Sequence, residues 1–236
     1  MIIEGKNAVM EAIKGGVTIE KLCVQKGLTG LDKIVQEAKR RNIKVVPSEK
    51  QYMLKLSPSG RHQGVLCVAT DFKYTDFDEV RFSDGRKLYV VLDGVEDPHN
   101  LGAVTRVADC AGATAVIIPK YRAAGVTDTV VKVSAGATAY VPIVKVTNIN
   151  DAIRKLKDDG VKIVAADMDG TSMYDVDMTG DLAVVVGGEG HGVHELTRKL
   201  ADEVAAIPQF GKVNSLNASV ASALVVYEAL RQRQGK

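Results

Sequence analysis

The sequence predicts an α/β protein in which a small N-terminal αβ domain precedes a larger domain built on a parallel sheet. Three observations carry this. Apolar, β-branched runs recur from residue 88 onward, at 88–92, 114–118, 141–146, 161–166, 182–186 and 203–207. Helix-like stretches separate most of them, at 100–111, 149–159, 193–201 and 218–233. Strands that stay apolar along their length and alternate with helices belong in a parallel sheet covered on both faces. Finally, the segment 74–87, YTDFDEVRFSDGRK, is polar and turn-rich without apolar periodicity, and reads as a linker between domains at 1–73 and 88–236.

Within residues 1–73, helix-like stretches fall at 6–14 and 29–41. Short strand-like runs follow them: KLCV at 21–24, IKVV at 43–46 and GVLCVA at 64–69. A length of 236 residues, at the usual ~150 per domain, suits one small and one medium domain. In the larger domain the last helix is unusual, because from Ala218 to Leu230 only Ser219, Ser222 and Glu228 are clearly polar. A helix apolar nearly all round is buried, and near a chain end a partner subunit is a natural cover. A homodimer through this helix is expected.

Composition excludes several classes. With 46% hydrophobic and 25% charged residues the chain is not a disordered tail protein. No apolar run approaches the ~18 residues of a membrane helix, and MIIEGKNAVMEAIKGG carries charge where a secretion signal would be apolar, so a cytoplasmic protein with no membrane partner is expected. Cys23, Cys67 and Cys110 are widely spaced among apolar neighbours and read as small buried hydrophobes. The net charge of +2 hides an asymmetry: residues 1–73 carry 13 Lys+Arg against 7 Asp+Glu, while residues 74–236 carry 18 against 22. The N-terminal part can meet a polyanion.

In parallel sheets ligands collect at the carboxyl ends of the strands, where three unusual loops fall. The first, Asp93-Gly-Val-Glu-Asp-Pro-His-Asn-Leu-Gly102, runs into a helix that carries Arg106. Asp97-Pro98 suits a turn, and Asn100 could simply cap the helix. Arg106 lies in a stretch otherwise lined with Ala, Val and Gly, so its guanidinium must be paired or bind something. The second loop, Gly187-Gly-Glu189-Gly-His-Gly192, is neither a dinucleotide nor a P-loop fingerprint. Its glycines let backbone approach a ligand closely, and Glu189 can orient a base or a cation. The third loop places Asn214, Ser215 and Asn217 before the apolar helix. Asn217 or Ser219 could cap that helix, but the cluster has more hydrogen-bonding capacity than a cap requires. His62, His99, His191 and His194 form no ligand set for a metal, and no G-x-S-x-G elbow supports a serine hydrolase.

Together the three loops resemble the motifs of the SpoU family of S-adenosylmethionine-dependent RNA 2′-O-ribose methyltransferases. The matching stretches are GVEDPHNLGAVTRVADCAGA at 94–113, VVVGGEGHGV at 184–193 and IPQFGKVNSLNASVASALVVYEALRQR at 207–233. EGKNAVMEAI at 4–13 and RHQGV at 61–65 are similar to the substrate-binding domain of the ribosomal RNA branch, the 23S rRNA guanosine-2′-O-methyltransferases of RlmB type.

The resemblance implies a C-terminal domain threaded as a deep trefoil knot, which ordinary topology rules would reject, and a homodimer through the last helix. It implies a donor site built from Gly187, Ile207 and Leu216. Asn100, Arg106, Glu189, Ser215 and Asn217 match its catalytic and substrate-positioning residues, and no metal is involved. Lys6, Arg61 and His62 are the plausible RNA contacts. An arginine is a poor base at neutral pH. Arg106 is therefore expected to bind the adjacent phosphate or the developing 2′-oxygen charge, held in orientation by Glu189 and Asn100. The alternatives are a tRNA substrate, or an RNA-binding or ribosome-assembly factor without catalysis.

Overall fold

The computed structural model of the chain describes residues 1–15, 17–70, 72–212 and 215–235, and these divide into two units, Met1–Lys73 with Val126–Asp128, and Tyr74–Gly125 with Thr129–Lys236. The first unit runs β1 (Ile2–Glu4), α1 (Lys6–Lys14), β2 (Thr18–Gln25), α2 (Asp32–Arg40), β3 (Val45–Ser48), α3 (Lys50–Leu56) and β4 (Val65–Thr70). Its sheet has the order β1-β4-β2-β3, with β4 antiparallel to both neighbours and β2 parallel to β3. The period-2 alternation of the strands sorts two cores. Leu22, Val65 and Cys67 pack with Val9 and Ile13 of α1 and Ile34 and Ala38 of α2, while Cys23 and Leu66 pack with Met53 of α3.

The second unit contains α4 (Phe77–Arg81), β5 (Leu88–Asp93), α5 (Pro98–Cys110), β6 (Ala115–Pro119), α6 (Asp128–Val133), β7 (Ile143–Val146), α7 (Ile149–Asp158), β8 (Lys162–Ser172), β9 (Leu182–Gly187), α8 (Glu195–Leu200), β10 (Glu203–Ala206) and α9 (Ala218–Arg233). The sheet order is β10-β8-β9-β5-β6-β7, and every pairing is parallel. All six residues of β5 and of β9 are buried, as the unbroken apolar runs require. Tyr89 and Val91 of β5 pack with Ile149, Ile153 and Leu156 of α7 on one face, and α5 and α9 pack together against the other. The chain proceeds outward from β5 to β7, then returns to the far side of β5 for the remaining strands. The order therefore reverses between β5 and β9, the switch point at which such sheets open a crevice.

Residues 74–87, read from the sequence as a linker, hold α4 and pack into the second unit. The Asp76 side chain caps α4 by accepting from Asp78 N at 2.8 Å, Val80 is buried, and Arg81 forks onto Asp159 through Nε at 2.7 Å and Nη2 at 2.9 Å. The segment lacks periodicity because five residues are too few to display it. Cys110 also departs from expectation: Cys23 and Cys67 are buried, but Cys110 is exposed at the end of α5. Its apolar sequence neighbours turn inward while it sits on the outer side of the helix.

α9 is only half covered by its own chain. Val225, Val226 and Ala229 are buried, whereas Val220, Leu224 and Tyr227, spaced four and three residues apart on one stripe, are 47%, 40% and 47% exposed. Its C-terminal end is fixed by Gln232, which donates to Val176 O at 3.0 Å and accepts from Met178 N at 2.8 Å. Among the described residues no helix is long and apolar enough to cross a membrane.

Candidate active site

α5 starts with Asp97 as its cap, the carboxylate accepting from His99 N at 2.9 Å, and with Pro98 in the first turn, where a missing N–H costs nothing. Asn100 therefore does not cap the helix. Its side chain is 4% exposed and donates from Nδ2 to Glu189 Oε1 at 2.5 Å. Glu189 reaches this point because the loop carrying it lies backbone against backbone. A Cβ at Gly187 would fall 1.9 Å from the Gly192 carbonyl carbon, and one at Gly188 would fall 2.2 Å from Gly94 O. Only glycine permits that approach.

Asn217 both caps a helix and joins the site. Its Oδ1 accepts from Ser219 N at 2.9 Å to cap α9, while its Nδ2 donates to Glu189 Oε1 at 3.3 Å. One carboxylate oxygen thus ties together the loops after β5, β9 and β10. Two cavities meet here. The first, of about 520 Å³, lies at the carboxyl ends of β8, β9 and β10, and takes in Gly187, Ile207, Leu216, Glu189, Ser215 and Asn217. The second, of about 450 Å³, lies at the switch point, between the loop Asp93–Asp97 and the loop Gly188–His194, with Asn100 and Arg122 at its side. Gly188, Glu189, His191 and Gly192 line both. Asn214 falls outside the described residues.

Arg106 is placed differently from expectation. It is exposed and lines neither cavity. Six residues beyond Asn100 on a helix is a rotation of about 120° from it, which turns the two side chains to different faces. Glu189 holds Asn100 and Asn217 instead, and among the described residues the Arg106 guanidinium forms no ion pair or hydrogen bond, so the expected bracing by Glu189 and Asn100 is absent.

Sequence reasoning missed Asp167 and Met168, which line the first cavity, because β8 continues past its apolar run into the polar stretch 167–172, and Gln209, which lines it from the loop after β10. It also missed Asp93 and His194. Asp93 ends β5, is 6% exposed, and accepts from His194 N on Oδ2 at 3.0 Å, while its Oδ1 lies 2.9 Å from His194 Nδ1. Among the described residues no group of three or more His, Cys, Asp or Glu side chains converges as a metal site.

In the first unit, the Lys6 backbone N–H donates to Gln63 Oε1 at 3.0 Å, which joins the start of α1 to the loop carrying exposed Arg61. Glu4 fastens the same loop: it accepts from Ser57 Oγ and from Ser59 N, and these bonds hold its carboxyl below the usual value. His62 is not on the surface. It is 4% exposed and its Nδ1 accepts from Gly64 N at 3.0 Å, so the ring shapes the loop rather than facing a ligand.

Residues 87–227 match the SpoU rRNA methylase family, and residues 2–75 match the RNA 2′-O-ribose methyltransferase substrate-binding family. A Staphylococcus haemolyticus protein, whose name places it among TrmH-family tRNA/rRNA methyltransferases, is 41% identical over 99% of this chain and 96% of its own. Among solved structures, the SpoU methyltransferase AviRb of Streptomyces viridochromogenes is 26% identical with a TM-score of 0.65, covering 100% of this chain and 90% of that one. The AdoMet-bound rRNA methyltransferase of Sinorhizobium meliloti is 26% identical with a TM-score of 0.61, covering 98% of this chain and 87% of that one. A cluster of loops at the carboxyl ends of a parallel sheet, in a chain matched along nearly its whole length by these relatives, identifies the chain as a member of the SpoU (TrmH) family of RNA methyltransferases.

Proposed function

We propose that the chain transfers a methyl group from S-adenosylmethionine to a ribose 2′-hydroxyl of RNA, with a guanosine of 23S ribosomal RNA as the target. The observation that carries this reading is the convergence of Asn100 and Asn217 on Glu189 Oε1 at the junction of two cavities, one for a donor and one for an acceptor. The first cavity suits the donor. Its volume falls within the ~300–1,000 Å³ of small-molecule sites, aliphatic Ile207 and Leu216 offer apolar contact, and the carboxylates of Asp167 and Glu189 suit a positively charged group. S-adenosylmethionine supplies an electrophilic methyl group carried on a sulfonium.

The chain's own residues then position the reaction. Gly187, Ile207 and Leu216 hold the donor through backbone and aliphatic contact. Asn100 and Asn217 fix the Glu189 carboxylate where the cavities meet, with Ser215 on the donor side. Much of the rate comes from in-line alignment of the two reactants. Arg106, outside both cavities of its own chain, acts on the RNA phosphate or on developing charge at the 2′-oxygen. Residues 1–73 select the RNA through Lys6 and Arg61, in keeping with their basic excess and the substrate-binding match. Single-stranded or loop RNA is the expected target, since its ribose hydroxyls are accessible. The catalytic domain threads as a trefoil knot and pairs as a homodimer over the exposed α9 stripe. An RNA substrate and three free cysteines fit a cytoplasmic protein.

Tritiated methyl incorporation into unmodified 23S rRNA and tRNA, followed by mapping of the 2′-O-methyl, tests this. Label is expected at one guanosine of 23S rRNA. Label confined to tRNA moves the substrate, and absence of label in both defeats the reading.

A further inference from the structure

A 2′-hydroxyl enters the site on a ribose whose 3′-phosphate sits on the next carbon, so the acceptor cavity must receive a fixed negative charge together with the reacting oxygen. Its walls oppose that charge, for Asp93, Glu96, Asp97 and Glu189 all line it. Three of these carboxylates serve the fold itself, Asp93 accepting from His194 N, Asp97 from His99 N, and Glu189 from Asn100 and Asn217. They still repel a phosphate. Among the described residues that line the cavity, Arg122 is the one Lys or Arg, and it stands on the loop after β6, next to the switch point.

That loop holds Arg122 in place and gives its side chain no partner within the chain. Two residues before it, Lys120 N donates to Val146 O at 2.8 Å, and two residues after it, Ala124 N donates to Val95 O at 2.8 Å. Between these anchors Arg122 takes φ +52°, a left-handed conformation that costs an L residue energy and persists only where the surroundings impose it. Lys120 Nζ lies over the Tyr121 ring, 5.5 Å from its centroid. Arg122 is exposed, and among the described residues its guanidinium forms no ion pair or hydrogen bond. A strained residue that brings an unspent cation to a cavity lined by carboxylates is placed for a ligand rather than for stability.

We propose that Arg122 is the phosphate-positioning residue of the acceptor cavity: its guanidinium fork takes the 3′-phosphate of the target nucleotide and so fixes the neighbouring 2′-hydroxyl in line with the donor methyl. The proposal rests on the methyl-transfer reading above. To the RNA contacts of residues 1–73 it adds one made by the catalytic unit itself, at the reacting ribose.

The test compares the wild type with Arg122→Gln, Arg122→Lys and Arg122→Gly on unmodified 23S rRNA and tRNA. It reads RNA affinity over a salt series, single-turnover methyl transfer, S-adenosylmethionine affinity and thermal unfolding. Arg122→Gln and Arg122→Gly should lose about 100-fold in rate through misplacement of the hydroxyl. Each should also lose about 0.7 from the slope of log K against log salt, with donor affinity unchanged. Arg122→Lys should keep the slope, since the charge remains, while recovering only part of the rate, since a point charge lacks the fork. Arg122→Gly should melt no lower than the wild type, because glycine adopts a left-handed φ freely, whereas loss of a side chain needed by the fold would lower the melting temperature. Wild-type rate and slope in Arg122→Gln overturn the proposal, as does a fall in melting temperature or donor affinity in Arg122→Gln and Arg122→Gly alike. A wild type that makes no 2′-O-methyl product on any RNA defeats the underlying reading, whereas an active wild type indifferent to position 122 defeats only this one.

Discussion

Asn100 and Glu189 lie 89 residues apart in the chain and 2.5 Å apart in the fold, Nδ2 donating to Oε1. The same oxygen takes Asn217, so its removal releases two donors, one of them on a side chain only 4% exposed. Glu189→Ala should cost about 1–3 kcal/mol of stability for the stranded Asn100 amide. It should also lower the methyl-transfer rate by about 100-fold or more, because the loop that separates donor from acceptor loses its anchor. Glu189→Gln keeps a carbonyl acceptor and should retain the stability while losing rate. Urea unfolding beside single-turnover kinetics separates the two effects. Equal loss of rate and stability in both variants would show that the charge has no role.

The pattern of what the sequence disclosed follows from physical signals of different reach. β5 and β9 were legible because burial on both faces demands unbroken apolar runs. β1 and α3 were not, since three and seven residues are too few to show a period. Arg106 is instructive: helical geometry alone turns it away from Asn100, but a functional grouping by motif set that geometry aside. The Asp93–His194 pair was hidden for another reason. Its members are 101 residues apart, beyond the reach of any local pattern.

Val220, Leu224 and Tyr227 form an exposed apolar stripe on α9. Full burial of such a side chain contributes about 1.5–3 kcal/mol, so covering the roughly half still exposed contributes about 0.7–1.4 kcal/mol each, and two copies of the stripe facing one another favour pairing. Analytical ultracentrifugation should give a dimer for the wild type and a monomer for Leu224→Glu combined with Tyr227→Lys. A wild type that sediments as a monomer at tens of micromolar would remove the α9 homodimer.

Arg81 donates to both oxygens of Asp159 and holds that carboxyl below its ordinary value, through hydrogen bonds first and charge second. A depressed folded-state value means the pair contributes fully above the ordinary carboxylate range, and its contribution is lost as pH falls through the folded value. Stability measured by urea should thus decline below about pH 4, more steeply in the wild type than in Asp159→Asn. At pH 7 the Asn variant should be less stable by about 1–2 kcal/mol, since hydrogen bonds to charged groups exceed neutral ones. Parallel pH profiles would exclude Asp159 as a source of the acid sensitivity.

Lys6 and Arg61 belong to one surface, because Gln63 bonds the Lys6 backbone while its loop carries Arg61. Each cation that neutralises an RNA phosphate releases a counterion, and for single strands each contributes about 0.7 to the slope of log K against log salt. The double variant Lys6→Ala, Arg61→Ala should therefore weaken RNA binding and flatten the slope by about 1.4, with unfolding unchanged. His62→Ala should behave in the opposite way. It removes a buried acceptor and leaves Gly64 N–H unpaired, at a cost of about 1–3 kcal/mol, without altering the salt slope of the folded fraction. Filter binding across a salt series, beside thermal melts of each variant, distinguishes the two. A flattened slope in His62→Ala, or an unchanged one in the double variant, would place the RNA contact elsewhere on residues 1–73.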